Sequence, residues 1–195
     1  MDEKSLLHTL TKVVNTLAAA DIDFAVAGGC AVYARGGPSS DHDVDVFVRE
    51  ADVRAAQRAL VDAGMRPEEP PEDWLTKVYD GDVLVDLIFR PNYRPQLDDV
   101  LDRAERMRVG PALAKVVTGT DLMVDKLLVL DAHRCDFTPL LTIARDLREQ
   151  VDWDRVAAET AESPYARSFL TLLEALSIAD TADTADTAEA ERTAS

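Results

Sequence analysis

Three aspartates and a pair of glycines stand where chemistry at a phosphate would need them. The segment from Phe24 to Val48 reads FAVAGGCAVYARGGPSSDHDVDVFV. An apolar run, Phe24 to Ala27, ends in Gly28 and Gly29, and Asp43 and Asp45 sit two apart inside a second apolar run. Asp86 lies in a third, Val83-Leu84-Val85-Asp86-Leu87-Ile88-Phe89. Side chains at i and i+2 of a strand share a face, so Asp43 and Asp45 point together while Val44, Val46 and Val48 line the other side. Two carboxylates that close repel each other, and burying either is costly without a cation. Asp86 sits in a run too apolar for a wet edge and wants a partner. A divalent metal shared with Asp43 and Asp45 would supply one. The glycines fit the same chemistry. Glycine reaches positive φ and has no Cβ to block a ligand, and amides at a helix N-terminus face an anion. Each part alone has a plainer reading, as wet aspartates on an edge strand or an ordinary strand-to-helix turn. Together they point to metal-assisted phosphoryl or nucleotidyl transfer. Neither GxGxxG nor GxxxxGK[ST] occurs, so the turn is not a dinucleotide fingerprint or a P-loop.

The elements that must position these residues follow from periodicity and punctuation. Leu6, Leu7, Leu10, Val13, Val14 and Leu17 form a helical stripe over 3–20. A strand over 23–27 leads into a helix over 30–35, a loop over 36–40 and a strand over 43–49. A helix over 51–64 stops at Gly64 and Pro67, and the solvated loop 68–73 follows. Strands over 74–79 and 83–89 flank Asp80-Gly81, a hairpin signal. A helix is expected over 97–106 and a short strand within 107–117, at 113–117. Thr120 caps a helix over 121–133, and Asp136 or Thr138 starts another that ends near Gln150. Two more helices cover 152–162 and 164–178. Strands in the first two-thirds and helices in the last third give an α+β class, a mixed β-sheet with flanking helices followed by a C-terminal helical bundle. The expected organisation is a catalytic domain over 1–118, a helical region over 119–179 and a disordered acidic tail over 180–195.

The joint pattern resembles the nucleotidyltransferase superfamily of DNA polymerase beta type. That signature is an apolar strand, Gly-Gly or Gly-Ser, roughly a dozen residues, Asp-apolar-Asp or Glu, and a third carboxylate on a later strand. Gly28-Gly29, Asp43-Val44-Asp45 and Asp86 fill those places, and the likeness is best over about 20–90. The rest of the chain is similar to small bacterial members, the aminoglycoside nucleotidyltransferases and the AbiEii-type toxin nucleotidyltransferases. The resemblance implies a minimal nucleotidyltransferase fold and two Mg²⁺ ions. It implies Asp43, Asp45 and Asp86 as catalytic metal ligands, and an NTP donor whose β- and γ-phosphates meet Gly28 and Gly29. Asp86 would take the proton of an attacking hydroxyl. Lys126 matches the place of a lysine that reaches the triphosphate in AbiEii-like relatives, although a surface ion pair with Asp125 or Asp131 would explain it too. Cys30 departs from the Ser or Thr that many relatives carry after the glycines.

Composition bounds the partners. The chain has 195 residues, 47% of them hydrophobic, enough for a real core. No run reaches the ~20 apolar residues of a membrane span, and MDEKSLLHTL is no signal peptide. Cys30 and Cys135 lack metal spacing and read as reduced thiols of a cytoplasmic protein. The net charge is −16, and because five acids and one arginine fall in 180–195 the remainder still carries −12. Such a surface disfavours broad nucleic-acid binding.

The acceptor stays open between a small molecule, an RNA 3′ end such as tRNA, and the hydroxyl of a partner protein, as in toxin–antitoxin pairs. A non-catalytic nucleotide-binding or interaction module of the same fold is the reading from another class. Arg103, Arg106 and Arg108, with Arg90 and Arg94, form either a basic groove or an exposed helix face. Lys77 faces either the cleft or the solvent, and the solvent-facing strand lysine is the reading preferred; Arg35, His42 and Arg90 flank the motifs and read as structural. Asp136 reads as a cap, Asp146 as solvated, and Trp74 and Trp153 as packing. His8 and His133 are too isolated for metal ligation.

Overall fold

The apolar stripe near the N-terminus becomes the helix α1, Glu3–Ala19. Leu6, Leu10, Val13, Val14 and Leu17 are all buried along it, each side chain worth about 1.5–3 kcal/mol of burial. The computed structural model describes residues 3–39, 43–93 and 97–179. His42, Arg94 and the expected disordered tail lie outside the described residues. The chain divides into two compact units between Thr118 and Gly119.

The first unit continues with β1 (Phe24–Val26), α2 (Gly28–Ala34), β2 (Asp43–Val48), α3 (Val53–Asp62) and β3 (Arg66–Glu68). Then come β4 (Leu75–Asp80), β5 (Val83–Ile88), α4 (Leu97–Arg103), β6 (Glu105–Val109) and β7 (Ala112–Val116). The strands make one seven-stranded sheet in the order β3-β4-β5-β2-β1-β7-β6. β2 and β5 are parallel, as are β1 and β7, and the other neighbours are antiparallel. The mixed sheet with flanking helices is the α+β architecture expected.

Register sorts the two faces. Val44 pairs with Val85, Val46 with Leu87, and Val78 with Val85, and all five are buried. Thr76 and Asp80 share that face. Thr76 accepts from Gln57 of α3 at 2.9 Å, and Asp80 accepts from Thr9 and Lys12 of α1 at 2.9 and 2.6 Å. So α1 and α3 cover the valine face, and Asp43, Asp45 and Asp86 project from the other.

Two strands escape the sequence pattern. β3 carries Pro67 and is exposed throughout. It survives because it is an edge strand, where proline withholds no needed donor. β6, with the sequence ERMRV, lies where the helix over 97–106 was expected to end. It pairs with β7 across the turn at Gly110, which holds a φ of +56°. The β4–β5 loop is Gly81-Asp82, one residue on from Asp80-Gly81, because Asp80 pairs with Val83.

The second unit holds α5 (Gly119–Leu128), α6 (Thr138–Leu147), α7 (Trp153–Glu159) and α8 (Pro164–Ala175), as the helical pattern requires. Thr120 does not cap its own helix. It lies inside α5, and its hydroxyl accepts the amide of Asp152 at 2.9 Å. Asp152 and Ser163 cap α7 and α8, and Asp136 accepts the Thr138 amide at 2.9 Å ahead of α6. Asp121, fully buried, is ion-paired with Arg155.

Candidate active site

Parallel pairing of β2 with β5 sets Asp45 directly beside Asp86 and Asp43 beside Leu84. The two strands are apolar enough to hold the centre of the sheet, so their outward aspartates are brought to one place. Asp43, Asp45 and Asp86 each offer a carboxylate oxygen within 4.8 Å of the others. Opposite oxygens on a Mg²⁺ ion stand about 4.2 Å apart, so small rotations would close the cluster on such an ion. The donor set, all hard oxygen, suits that class of cation.

Gly28 reaches the same point from β1. The β1–β2 register pairs Val26 with Val46, and the Ala27 amide donates to the Asp45 carbonyl at 2.9 Å. The next residue must turn over the Asp45 side chain. Gly28 does so at φ +55°, and a Cβ there would stand 1.7 Å from Asp45 Oδ2. Both the dihedral and the space require glycine. α2 begins at Gly28 itself, two residues before the expected start, and its N-cap Ala27 gives no side-chain hydrogen bond.

Asp86 is only 9% exposed. Its Oδ1 has no hydrogen-bond donor among the described residues. Burial is the main cause that pushes its carboxyl up to about 6. The Lys77 ammonium opposes the shift, and the charges of Asp43 and Glu72 add to it. A lone buried carboxylate oxygen, next to two other carboxylates, is the arrangement a cation resolves.

Lys77 is the residue that sequence reasoning undervalued. It sits opposite Asp86 in the β4–β5 register, on the triad's face and half-buried. Its ammonium is 3.8 Å from Glu72 Oε2. The signal was available, because counting from a Gly81-Asp82 turn puts Lys77 against Asp86.

Cys30 and Arg35 support the turn. Cys30 is buried, and its thiol donates to the Asp43 carbonyl at 3.7 Å. Burial first, then the charges of Asp45 and Asp43, pushes that thiol up to about 12, so it is no nucleophile. Arg35, just past α2, is buried as well. Its guanidinium donates to the Val117 carbonyl at 2.6 Å, to that of Val116 at 3.3 Å and to Glu105 at 2.9 Å. It ties the end of α2 to the outer strands, the structural part expected of it.

The other candidates scatter. Lys126 lies half-buried on α5, in the second unit. Arg106 and Arg108 are exposed on the edge strand β6, not on a helix. Arg90 is spent on Glu50 at 2.5 Å. Arg103 is exposed at the end of α4, so no one helix face carries the described members of this set. Asp146 is exposed and Trp153 buried. No described helix is long and apolar enough to cross a membrane.

The architecture has counterparts of similar size. The solution structure of the antibiotic-resistance factor ANT(2'')-Ia aligns with a TM-score of 0.63 at 17% identity, over 89% of this chain and 97% of that one. The crystal structure of ANT(2'')-Ia in complex with adenylyl-2''-tobramycin gives 0.58 at 12% identity, over 88% of this chain and 98% of that one. At such identities the likeness is one of fold. No curated protein sequence matches the chain. A family model described as uncharacterised nucleotidyltransferase matches residues 1–178, a span that holds the glycine turn, all three aspartates and the helical unit, and the chain belongs to that nucleotidyltransferase family.

Proposed function

We propose that this enzyme moves a nucleoside monophosphate from an NTP to a hydroxyl acceptor, with magnesium held by Asp43, Asp45 and Asp86. The observation that carries the reading is the cluster of three carboxylates within 4.8 Å, with one buried oxygen of Asp86 lacking a donor among the described residues. Two bound Mg²⁺ ions would offset the triphosphate charge and make the acceptor hydroxyl more acidic. The residues do the rest. Asp43 and Asp45 would hold the cations, which would supply the positive charge that the donor's phosphates need. The Gly28-Gly29 backbone comes close to the β- and γ-phosphates, where no Cβ obstructs it. Asp86 receives the hydroxyl proton as the oxygen bonds to the α-phosphorus and the bond to pyrophosphate breaks.

The crystal structure of ANT(2'')-Ia, whose fold this chain is similar to, holds adenylyl-2''-tobramycin, which supports ATP as a donor and a small hydroxylated molecule as acceptor. The test is incubation with Mg²⁺ and each α-labelled NTP, with aminoglycosides, total tRNA or no acceptor, beside Asp45→Asn. Label transferred by the wild type alone is the expected result. Equal transfer by Asp45→Asn would sink the assignment. Metal-dependent nucleotide binding with no transfer to any acceptor would favour a partner protein as the acceptor.

A further inference from the structure

The sheet ends at β6, and among the described residues the only strand paired with it is β7. An edge strand leaves outward N–H and C=O groups unpaired, so proteins blunt it with proline, glycine bulges, charge or a cover. β3, at the opposite edge, has Pro67. β6 reads ERMRV and has neither proline nor glycine. Its charges are the device it carries, and they select what can pair with it.

Register places those charges. Val116 pairs with Val26, and Val26 with Val46 of the valine face. Glu105 lies opposite Val116, so Glu105, Met107 and Val109 take the valine face, and Arg106 and Arg108 take the face of the three aspartates. Both arginines are exposed, and neither has a hydrogen bond or ion pair with another described residue. A second copy of β6, added antiparallel about Met107, would set Arg106 against Arg108, and like charges directly opposite destabilise a strand pair.

The complement lies in the chain itself, outside the described residues. Ala188-Glu189-Ala190-Glu191-Arg192 alternates as a strand does. Laid antiparallel on β6, it sets Ala188 beside Val109, Glu189 beside Arg108, Ala190 beside Met107, Glu191 beside Arg106 and Arg192 beside Glu105. Every charged pair is of opposite sign, and small alanines fall beside the two apolar side chains. The parallel alignment leaves Glu105 against Ala188 and Arg192 against Val109. Asp180, Asp183 and Asp186 stand three apart, so neighbours among them fall on opposite faces of a strand and cannot serve both arginines.

We propose that residues 188–192 add to β6 as an antiparallel eighth strand, with Glu189 paired to Arg108 and Glu191 to Arg106. The segment closes the open edge of the sheet and neutralises two arginines on the face of the aspartates. The charges that admit it are the ones that reject a second β6.

Hydrogen exchange of the full chain, read by mass spectrometry on peptic peptides, tests the pairing. Amides of 188–192 should exchange about tenfold slower than in the isolated peptide of that sequence. Arg106→Glu should remove the protection, and so should Glu191→Arg. Both together restore it, because the opposite pair is rebuilt with its signs exchanged. Arg106→Glu with Glu189→Arg restores less, since those positions are diagonal. Unchanged exchange in β2 and α5 shows that each variant is folded. Exchange of 188–192 at the free-peptide rate in the wild type, protection that survives Arg106→Glu, or a double exchange that restores nothing overturns the proposal. Equal rescue by Glu189→Arg and Glu191→Arg overturns the register.

Discussion

Gly28 and Asp45 are packed so closely that the glycine has no room for a Cβ. A Cβ on Gly28 would lie 1.7 Å from Asp45 Oδ2 and 2.6 Å from its Cγ. The turn and the carboxylate are therefore built as one unit, joined by the hydrogen bond from Ala27 to the Asp45 carbonyl. Gly28→Ala must push the carboxylate out of the cluster. Turnover should fall on the order of 10²-fold, the usual penalty for an ångström of misplacement, together with the affinity for Mn²⁺ used as a probe of the metal site. Gly64→Ala is the control. Gly64 also holds positive φ, at +93°, but nothing lies within 4 Å of its Cβ position. It should lose only about 1 kcal/mol of stability and keep metal binding.

Asp86 makes the metal-free protein sensitive to pH. Its folded carboxyl titrates near 6, against 3.8 for the ordinary group. The folded state therefore binds the extra proton between those values, and stability falls as pH rises through that window. The loss should be on the order of 3 kcal/mol by pH 7. Asp86→Asn should abolish this slope and make the metal-free protein more stable at pH 7. Chemical denaturation from pH 4.5 to 7.5, wild type against variant in chelator, measures it. Asp23 and Asp80 are held below the ordinary carboxyl range, each against the upward push of its own burial. Hydrogen bonds from Lys115 and Arg49 hold Asp23, and bonds from Lys12 and Thr9 hold Asp80. Both contribute their losses at lower pH and leave the window clear.

The two cysteines should react differently. Cys30 is buried with its thiol pushed up to about 12, while Cys135 is exposed. Iodoacetamide at pH 8 should label Cys135 alone in the native protein and both residues in denaturant. Peptide mass spectrometry reads the outcome, and native labelling of Cys30 would contradict the burial of the turn.

Arg35 fills three acceptors from a buried position. Arg35→Met leaves the Val117 carbonyl without its donor and should destabilise the fold by about 2–4 kcal/mol. Arg35→Lys should recover only part of that, because a point ammonium cannot span the fork. Equilibrium unfolding in urea decides both.

The triad was legible because it depends on two local rules, strand alternation and the apolar runs around Asp43, Asp45 and Asp86. The helical second half was legible from its stripes and caps. What escaped needed tertiary pairing. β3 reads as loop because Arg66, Pro67 and Glu68 have no apolar face, and only the partner strand β4 makes them a strand. β6 reads as the end of a helix because its charges alternate, and only the turn at Gly110 folds it onto β7. Lys77 reads as solvent-facing from its own strand alone, and only the β4–β5 pairing puts it against Asp86.

The most direct measurement is calorimetric titration of ATP into wild type and Asp45→Asn, with Mg²⁺ and with chelator, alongside their melting temperatures. The account expects wild type to bind ATP only with Mg²⁺, and Asp45→Asn to lose about tenfold or more in affinity while melting at the same temperature or higher. Binding that ignores both the metal and the Asp45 carboxylate would contradict the claim that these three aspartates are the nucleotide site.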